Sequence, residues 1–204
     1  MAERNMFMKK TIVIASGNAG KIREFRQMLE PEGYEVKCLA DLEGYTEPEE
    51  TGTTFEENAI IKAQAVTDQY HIEALSDDSG LSIDAFNGEP GVHSARWLGH
   101  DTPYDKKNAV VLEKMKGEKN RGCHYTCAIA WTSPDRKPVV FSDIVECEIA
   151  EEPKGSNGFG YDPIVYYPPL GKTMAEMTKD EKNAISHRGK ALRKLEAYLH
   201  EQKD

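Results

Sequence analysis

Residues 10–29 read KTIVIASGNAGKIREFRQML. A short β-branched run is followed by a chain loosened at Gly17, Asn18 and Gly20, and then by Ile22, Phe25 and Leu29 at helical spacing. Strand, loop and helix in that order open an α/β fold. The loop also has a chemical reading, because a glycine-loosened turn between strand and helix exposes backbone N–H groups that suit phosphate oxygens. It is not a P-loop: with Lys21 as the motif lysine, Ala15 stands at the first glycine and Ile22 at the Ser/Thr position. What remains is Ser16, Asn18 and Lys21, two neutral hydrogen-bonding groups and a cation around a helix start. The plainer alternative is that Asn18 caps the helix and Lys21 is solvated.

Working outward, YEVKCLA (34–40) reads as a second strand and DLEGYTEPEETG (41–52) as an acidic loop. Thr54 and Glu57 form a capping box before a helix with Phe55, Ala59, Ala63 and Val66 on one face. IEALS (72–76) and LSIDAF (81–86) are two candidate strands split by the acidic pair of SDDSG (76–80). NGEPGVHSARWLGH (87–100) is loop, after which Thr102 as cap, Pro103 at the first helical position and Asp105 start a third helix. GCHYTCAIAWT (122–132) and KPVVFSDIVECEIAEEP (137–153) are long alternating strands joined at Ser133, Pro134 and Asp135. GSNGFGYDPIV (155–165) is a glycine-rich loop running into a strand. In the tail, Thr178 and Glu181 box a helix with Ile185, Leu192, Leu195 and Leu199 as apolar positions. A long hairpin among strand and helix units predicts one α/β domain with a mixed sheet, in a two-lobed shape with a cleft between the lobes.

With 204 residues, 39% of them hydrophobic, the chain can bury a core. Lys plus Arg number 26 against 35 Asp plus Glu, a net charge of −9, which argues against coating DNA or RNA. A small anionic ligand would therefore need local basic groups or a metal. No apolar run approaches the roughly 18 to 20 residues that span a bilayer, and MAERNMFMKK lacks an apolar core and a cleavage site, so a cytoplasmic protein is expected. Cys38, Cys123, Cys127 and Cys147 are too scattered for a disulfide framework. Cys123 and Cys127 fall on one face of an alternating strand, which favours core thiols over zinc ligands.

SDDSG sets two carboxylates side by side, a costly arrangement unless a cation, a donor network or solvent relieves it. Glu47, Glu49 and Glu50, in the acidic loop TEPEETG, add further carboxylates. Mg²⁺ takes oxygen ligands, often one or two carboxylates plus substrate phosphates, and would explain the crowding; a solvated acidic turn is the alternative. In GSNGFGYDP the glycines let backbone approach a flat ring while Phe159 or Tyr161 stacks on it, unless the aromatics merely plug the core. EKNAISHRG interrupts a helical stretch with Ser186, His187, Arg188 and Gly189, and Arg188 offers fixed donors to a carbonyl or phosphate.

Taken in order, SGNAGK, EETGTTFEENAIIKA, DDSGLSIDAFNGEPGVHSARW, GFGYDPIV and EKNAISHRGKAL resemble the inosine/xanthosine triphosphate pyrophosphatases of the bacterial type. The likeness runs from about Lys10 to the C-terminus, leaving residues 1–9 as an N-terminal extension and residues 10–204 as the domain. It implies a two-lobed α/β fold around a long mixed sheet with the active-site cleft between lobes, a homodimer, and dependence on Mg²⁺ with Mn²⁺ as a substitute. It further implies hydrolysis of ITP, dITP and XTP to monophosphate and pyrophosphate, with no nucleic-acid or membrane partner.

Carried over by motif, Ser16, Gly17, Asn18, Ala19, Gly20 and Lys21 correspond to phosphate-binding positions. Asp78 corresponds to the proton acceptor and a metal ligand, and Ser79 to a substrate contact. Glu49, or Glu50 beside it, corresponds to the second metal ligand. Phe159, Gly160, Tyr161, Asp162, Lys182, His187 and Arg188 correspond to the base and nucleotide pocket. Two rival readings keep the pocket: a related septum-inhibitor-like pyrophosphatase acting on pyrimidine or modified nucleotides, and a nucleotide sensor without catalysis.

Overall fold

The computed structural model describes residues 10–201, so the expected extension at residues 1–9 lies outside it. β1 (Lys10–Ile14) leads through a short turn into α1 (Ala19–Leu29), as the opening stretch predicts. Ile12, Val13 and Ile14 are all fully buried, the mark of a strand covered on both faces. Helix α1 buries Phe25 and Leu29, four residues apart on one face, each burial worth roughly 1.5–3 kcal/mol. β2 (Tyr34–Cys38) pairs with β1 in parallel, with Ile12 opposite Val36. α2 (Phe55–Tyr70) buries the predicted face of Phe55, Ala59, Ala63 and Val66.

The sequence expectation fails at SDDSG. The two candidate strands and the turn between them are one 11-residue strand, β3 (Glu73–Ile83), that runs straight through the acidic pair. It pairs in parallel with β1 from Glu73 to Leu75 and continues past the end of β1. Side chains alternate across a strand, so Asp77 and Asp78 face opposite ways and do not repel each other at close range.

α3 (Tyr104–Lys114) also starts differently from expectation, with Pro103 rather than Thr102 at the cap position. The Thr102 hydroxyl instead donates to the Leu98 carbonyl at 2.7 Å, a local backbone bond that competes with capping. β4 (Gly122–Ser133) and β5 (Arg136–Ile149) form the expected hairpin across Pro134 and Asp135. β6 (Val165–Tyr167) and β7 (Lys172–Thr173) follow in antiparallel pairing, and the sheet order is β2-β1-β3-β4-β5-β6-β7. The tail is two helices, α4 (Lys179–Ile185) and α5 (His187–Glu201), and Thr178 and Glu181 close the predicted capping box.

The fold is thus α/β with a seven-stranded mixed sheet, and its contacts divide into two compact units. The first holds residues 10–52, Glu56–Asp77 and Ile129–Val140; the second holds Thr53–Phe55, Asp78–Ala128 and residues 141–201. The second unit has its own apolar core, in which Leu81, Val111, Met115, Tyr125, Ile149 and Ile164 pack with Cys123 and Cys147. Cys127 is also fully buried, so the CHYTC thiols are core side chains. No helix among the described residues is long and apolar enough to cross a membrane.

Candidate active site

In the first unit the chemistry gathers where β1 ends. Asn18 has extended backbone angles and caps α1: its Oδ1 accepts from the N–H of Gly20 at 2.9 Å and of Lys21 at 3.1 Å. Ser16 Oγ accepts from the Asn18 N–H at 3.1 Å, so the turn is ordered by its own side chains. Gly17 and Ala19 keep their N–H groups out of that cap, at the positive end of the helix dipole.

Lys21 is not solvated. Its Nζ lies 2.6 Å from Asp77 Oδ1 and 3.2 Å from the Asp77 carbonyl, against a carboxylate whose side chain has no exposure. Lys62 of α2 donates to the same carbonyl at 3.1 Å and pairs with Glu50 at 3.3 Å. Two cations therefore converge on Asp77. Asp77 enters the motif reading only as one of the acidic pair and Lys62 not at all, although Lys62 had a signal: three residues after Ala59 and four before Val66, it interrupts the buried stripe of α2.

Of the two glutamates left open by the sequence, Glu50 is half-buried and engaged by Lys62, whereas Glu49 is exposed. No three His, Cys, Asp or Glu side chains among the described residues gather to hold a metal ion. A Mg²⁺ site needs no such cage, since one or two carboxylates completed by phosphate and water suffice. Glu49 in the first unit and Asp78 in the second each offer the carboxylate oxygens that such an ion takes.

In the second unit, Asp78 is 9% exposed and Ser79 Oγ accepts from Arg188 Nη2 at 3.2 Å. Arg188 and His187 open α5 because the chain breaks at Ser186, which has extended angles and whose Oγ takes the Gly189 N–H at 3.1 Å. The GFGYD loop separates the two aromatics that the sequence left as alternatives. Phe159 is 57% exposed, while Tyr161 is 2% exposed, its ring edge-on to Tyr104 and its hydroxyl donating to the Ser94 carbonyl at 2.9 Å. Lys182 Nζ and the Arg188 guanidinium sit 5.3 and 5.9 Å from the Phe159 ring centre, which makes it an exposed flat face flanked by cations.

Asp162 organises this loop rather than facing solvent. Its Oδ2 accepts from the Phe159 N–H at 2.8 Å and from Lys182 Nζ at 2.5 Å, and its Oδ1 from the Tyr125 hydroxyl at 3.2 Å. Gly158 has a φ of 73°, and a Cβ there would collide with Asp162 Oδ2, so only glycine fits. Asn108 of α3 donates to the Gly160 carbonyl at 3.1 Å. Neither Tyr125 nor Asn108 was legible as a site residue, because each acts on the loop from a strand or helix distant in sequence.

The Ham1 family model matches residues 12–198. A dITP/XTP pyrophosphatase of Bacillus subtilis (strain 168) is 48% identical over 197 residues, covering 95% of this chain and 99% of that protein. One of Exiguobacterium sp. is 46% identical over 188 residues, covering 92% and 96%. The structure of the Staphylococcus aureus Ham1 protein superimposes with a TM-score of 0.90 at 42% identity, covering 95% of this chain and all of that one. A nucleoside-triphosphatase described as a dITP/XTP pyrophosphatase from Mycobacterium abscessus gives 0.78 at 40% identity over 91% and 98%. The motifs, the fold and these relatives agree, and the chain belongs to the Ham1 family.

Proposed function

We propose that the chain hydrolyses the non-canonical purine nucleoside triphosphates ITP, dITP and XTP to monophosphate and pyrophosphate, clearing deaminated purines from the cytoplasmic nucleotide pool. One observation carries this reading. Within the run Asp77–Ser79 of β3, Asp77 holds Lys21 of the turn read as phosphate-binding, and Ser79 accepts from Arg188 of the SHR segment read as base-binding, which supports the reading. Relatives at 46–48% identity are named dITP/XTP pyrophosphatases.

In this reading the triphosphate oxygens take Lys21, the Ser16 hydroxyl, the Asn18 amide and the N–H groups at the start of α1. Lys21 and Lys62 supply the positive field that an acidic protein otherwise lacks. Asp78 orients the attacking water and accepts its proton. Asp78 and Glu49 would hold Mg²⁺, or Mn²⁺ in its place; once bound, the ion neutralises phosphate charge and lowers the pKa of water. Glu50 serves differently, by fixing Lys62.

At the other end the purine stacks on Phe159, and Arg188 with His187 faces its edge. Hypoxanthine and xanthine present a six-oxo acceptor to donors, whereas adenine presents an amino donor and leaves them unpaired, a mismatch that discriminates more strongly than a missing methylene. The active unit is a homodimer, for which light scattering should return twice the chain mass.

The test is a pyrophosphate- and phosphate-release panel over ITP, dITP, XTP, ATP, GTP, dTTP and UTP, with and without divalent ion. The expected result is pyrophosphate from the first three, only with the ion. Preference for dTTP or UTP, or orthophosphate as sole product, would overturn the reading.

A further inference from the structure

Tyr125 is a core residue of β4 that touches two base-end groups from separate parts of the chain. It is 7% exposed and packs within the apolar core of the second unit. A phenol hydroxyl there needs a partner, and it has one in Asp162 Oδ1 at 3.2 Å. Its ring meanwhile lies nearly parallel to the His187 imidazole, with centres 4.8 Å apart and planes 18° from each other.

Asp162 is 3% exposed, and its three donors are Tyr125, the Phe159 N–H and Lys182. The Tyr125 hydroxyl therefore stands behind the carboxylate that sets the Phe159 backbone and the Lys182 ammonium. The Tyr125 ring stands behind His187, one residue before Arg188. Burial and the neighbouring Asp162 push the phenol pKa well above its ordinary value, so the hydroxyl stays protonated and donates throughout the working pH range.

We infer that Tyr125 is a positioning residue for purine recognition, locking Asp162 through its hydroxyl and His187 through its ring. The inference rests on the base-end assignment of the proposed function. It adds a residue outside the five motifs, and it assigns separate jobs to two parts of one side chain. The hydroxyl governs the Phe159 and Lys182 side of the base, and the ring governs the His187 and Arg188 side.

The experiment compares wild type with Tyr125→Phe, which keeps the ring, and Tyr125→Leu, which removes both functions. Steady-state kinetics with ITP are combined with inhibition by inosine monophosphate, which carries the base, and by tripolyphosphate, which does not. Tyr125→Phe should raise the KM for ITP and the Ki for inosine monophosphate by roughly tenfold, the loss of one charge-assisted hydrogen bond. It should leave kcat and the tripolyphosphate Ki within about twofold, since the phosphate groups are untouched. Tyr125→Leu should weaken inosine monophosphate further, again without moving tripolyphosphate.

Equal weakening of both inhibitors would mark Tyr125 as a general structural residue and overturn the inference, as would an unchanged inosine monophosphate Ki in Tyr125→Phe. Either result leaves the proposed activity standing if wild type turns over ITP. A wild type inert toward every purine triphosphate overturns both.

Discussion

Lys21 and Asp78 illustrate how much a single side chain's part depends on what it is tied to. In the sequence Lys21 is a cation beside a turn. In the structure it is the counter-ion of a fully buried carboxylate 56 positions away in the chain. Removing one member of such a pair leaves the other charge stranded, at a cost of about 3 kcal/mol or more. Lys21→Ala is therefore expected to do two things: raise the KM for the triphosphate and lower the melting temperature by roughly 6–12 °C, the shift that such a loss produces in a chain of this size. Calorimetry on the unliganded protein checks the second; an unchanged melting temperature would show that the ion pair contributes little. Asp78→Asn should behave in the opposite manner, cutting kcat by about 10²–10⁴ as expected for loss of a general base, with nucleotide affinity by titration calorimetry nearly intact. Full turnover in that variant would remove Asp78 from the chemistry. None of this pairing could be read locally, because ion pairs between distant segments leave no mark on either segment's composition.

Among the elements, helices and hairpin were legible and the central strand was not. Apolar residues at helical spacing named the buried faces of α1 and α2, and the alternation of 122–149 named β4 and β5. β3 failed because Ser, Asp and Gly have low strand propensity and look like a turn. Its true state is set by neighbours on both sides of the sheet, and by Ser94, whose Oγ accepts from the Leu81 N–H at 2.8 Å and donates to the Gly91 carbonyl at 2.6 Å. Gly80 permits that approach: a Cβ there would strike both Ser94 Oγ and the Gly91 carbonyl. Gly80→Ala should push the GVHS turn off the strand and destabilise the protein by about 1–3 kcal/mol, the usual cost of overpacking a tight contact. Urea unfolding measures it, and a midpoint equal to wild type would mean that the turn yields freely. The same reasoning applies to the candidate site: Lys62, Asn108 and Tyr125, which hold groups that the motifs name, depend on packing between elements and leave no local signature.

For the molecule as a whole, the buried acids of the second unit's core make stability depend on pH in a stated direction. Burial raises the Cys147 thiol from its ordinary 9.0 to about 12, and burial also pushes up the Cys123 thiol and the Tyr125 and Tyr161 phenols. A group with a raised folded-state pKa contributes its full stability below the unfolded value and loses it as pH climbs toward the folded one. Between those limits the unfolded chain has released a proton that the folded chain retains, and each such group steepens the fall by up to about 1.4 kcal/mol per pH unit. Lys107 opposes this: burial depresses its pKa below 10.5, so the unfolded chain holds the extra proton and stability rises with pH until that value is passed. Its Nζ meanwhile donates to the Ala95 carbonyl at 2.6 Å. Urea unfolding at fixed temperature in reductant should give a free energy that begins to fall above pH 9 as the thiols enter, and falls faster above pH 10 as the phenols join them. Cys147→Ala should flatten the segment between pH 9 and 10, whatever it does to stability at pH 7, because it removes one of the thiols responsible. Lys107→Met should steepen the same segment by removing the opposing group. A wild-type curve that stays level to pH 11, or a Cys147→Ala curve parallel to it, would show that these thiols reach water without unfolding the core.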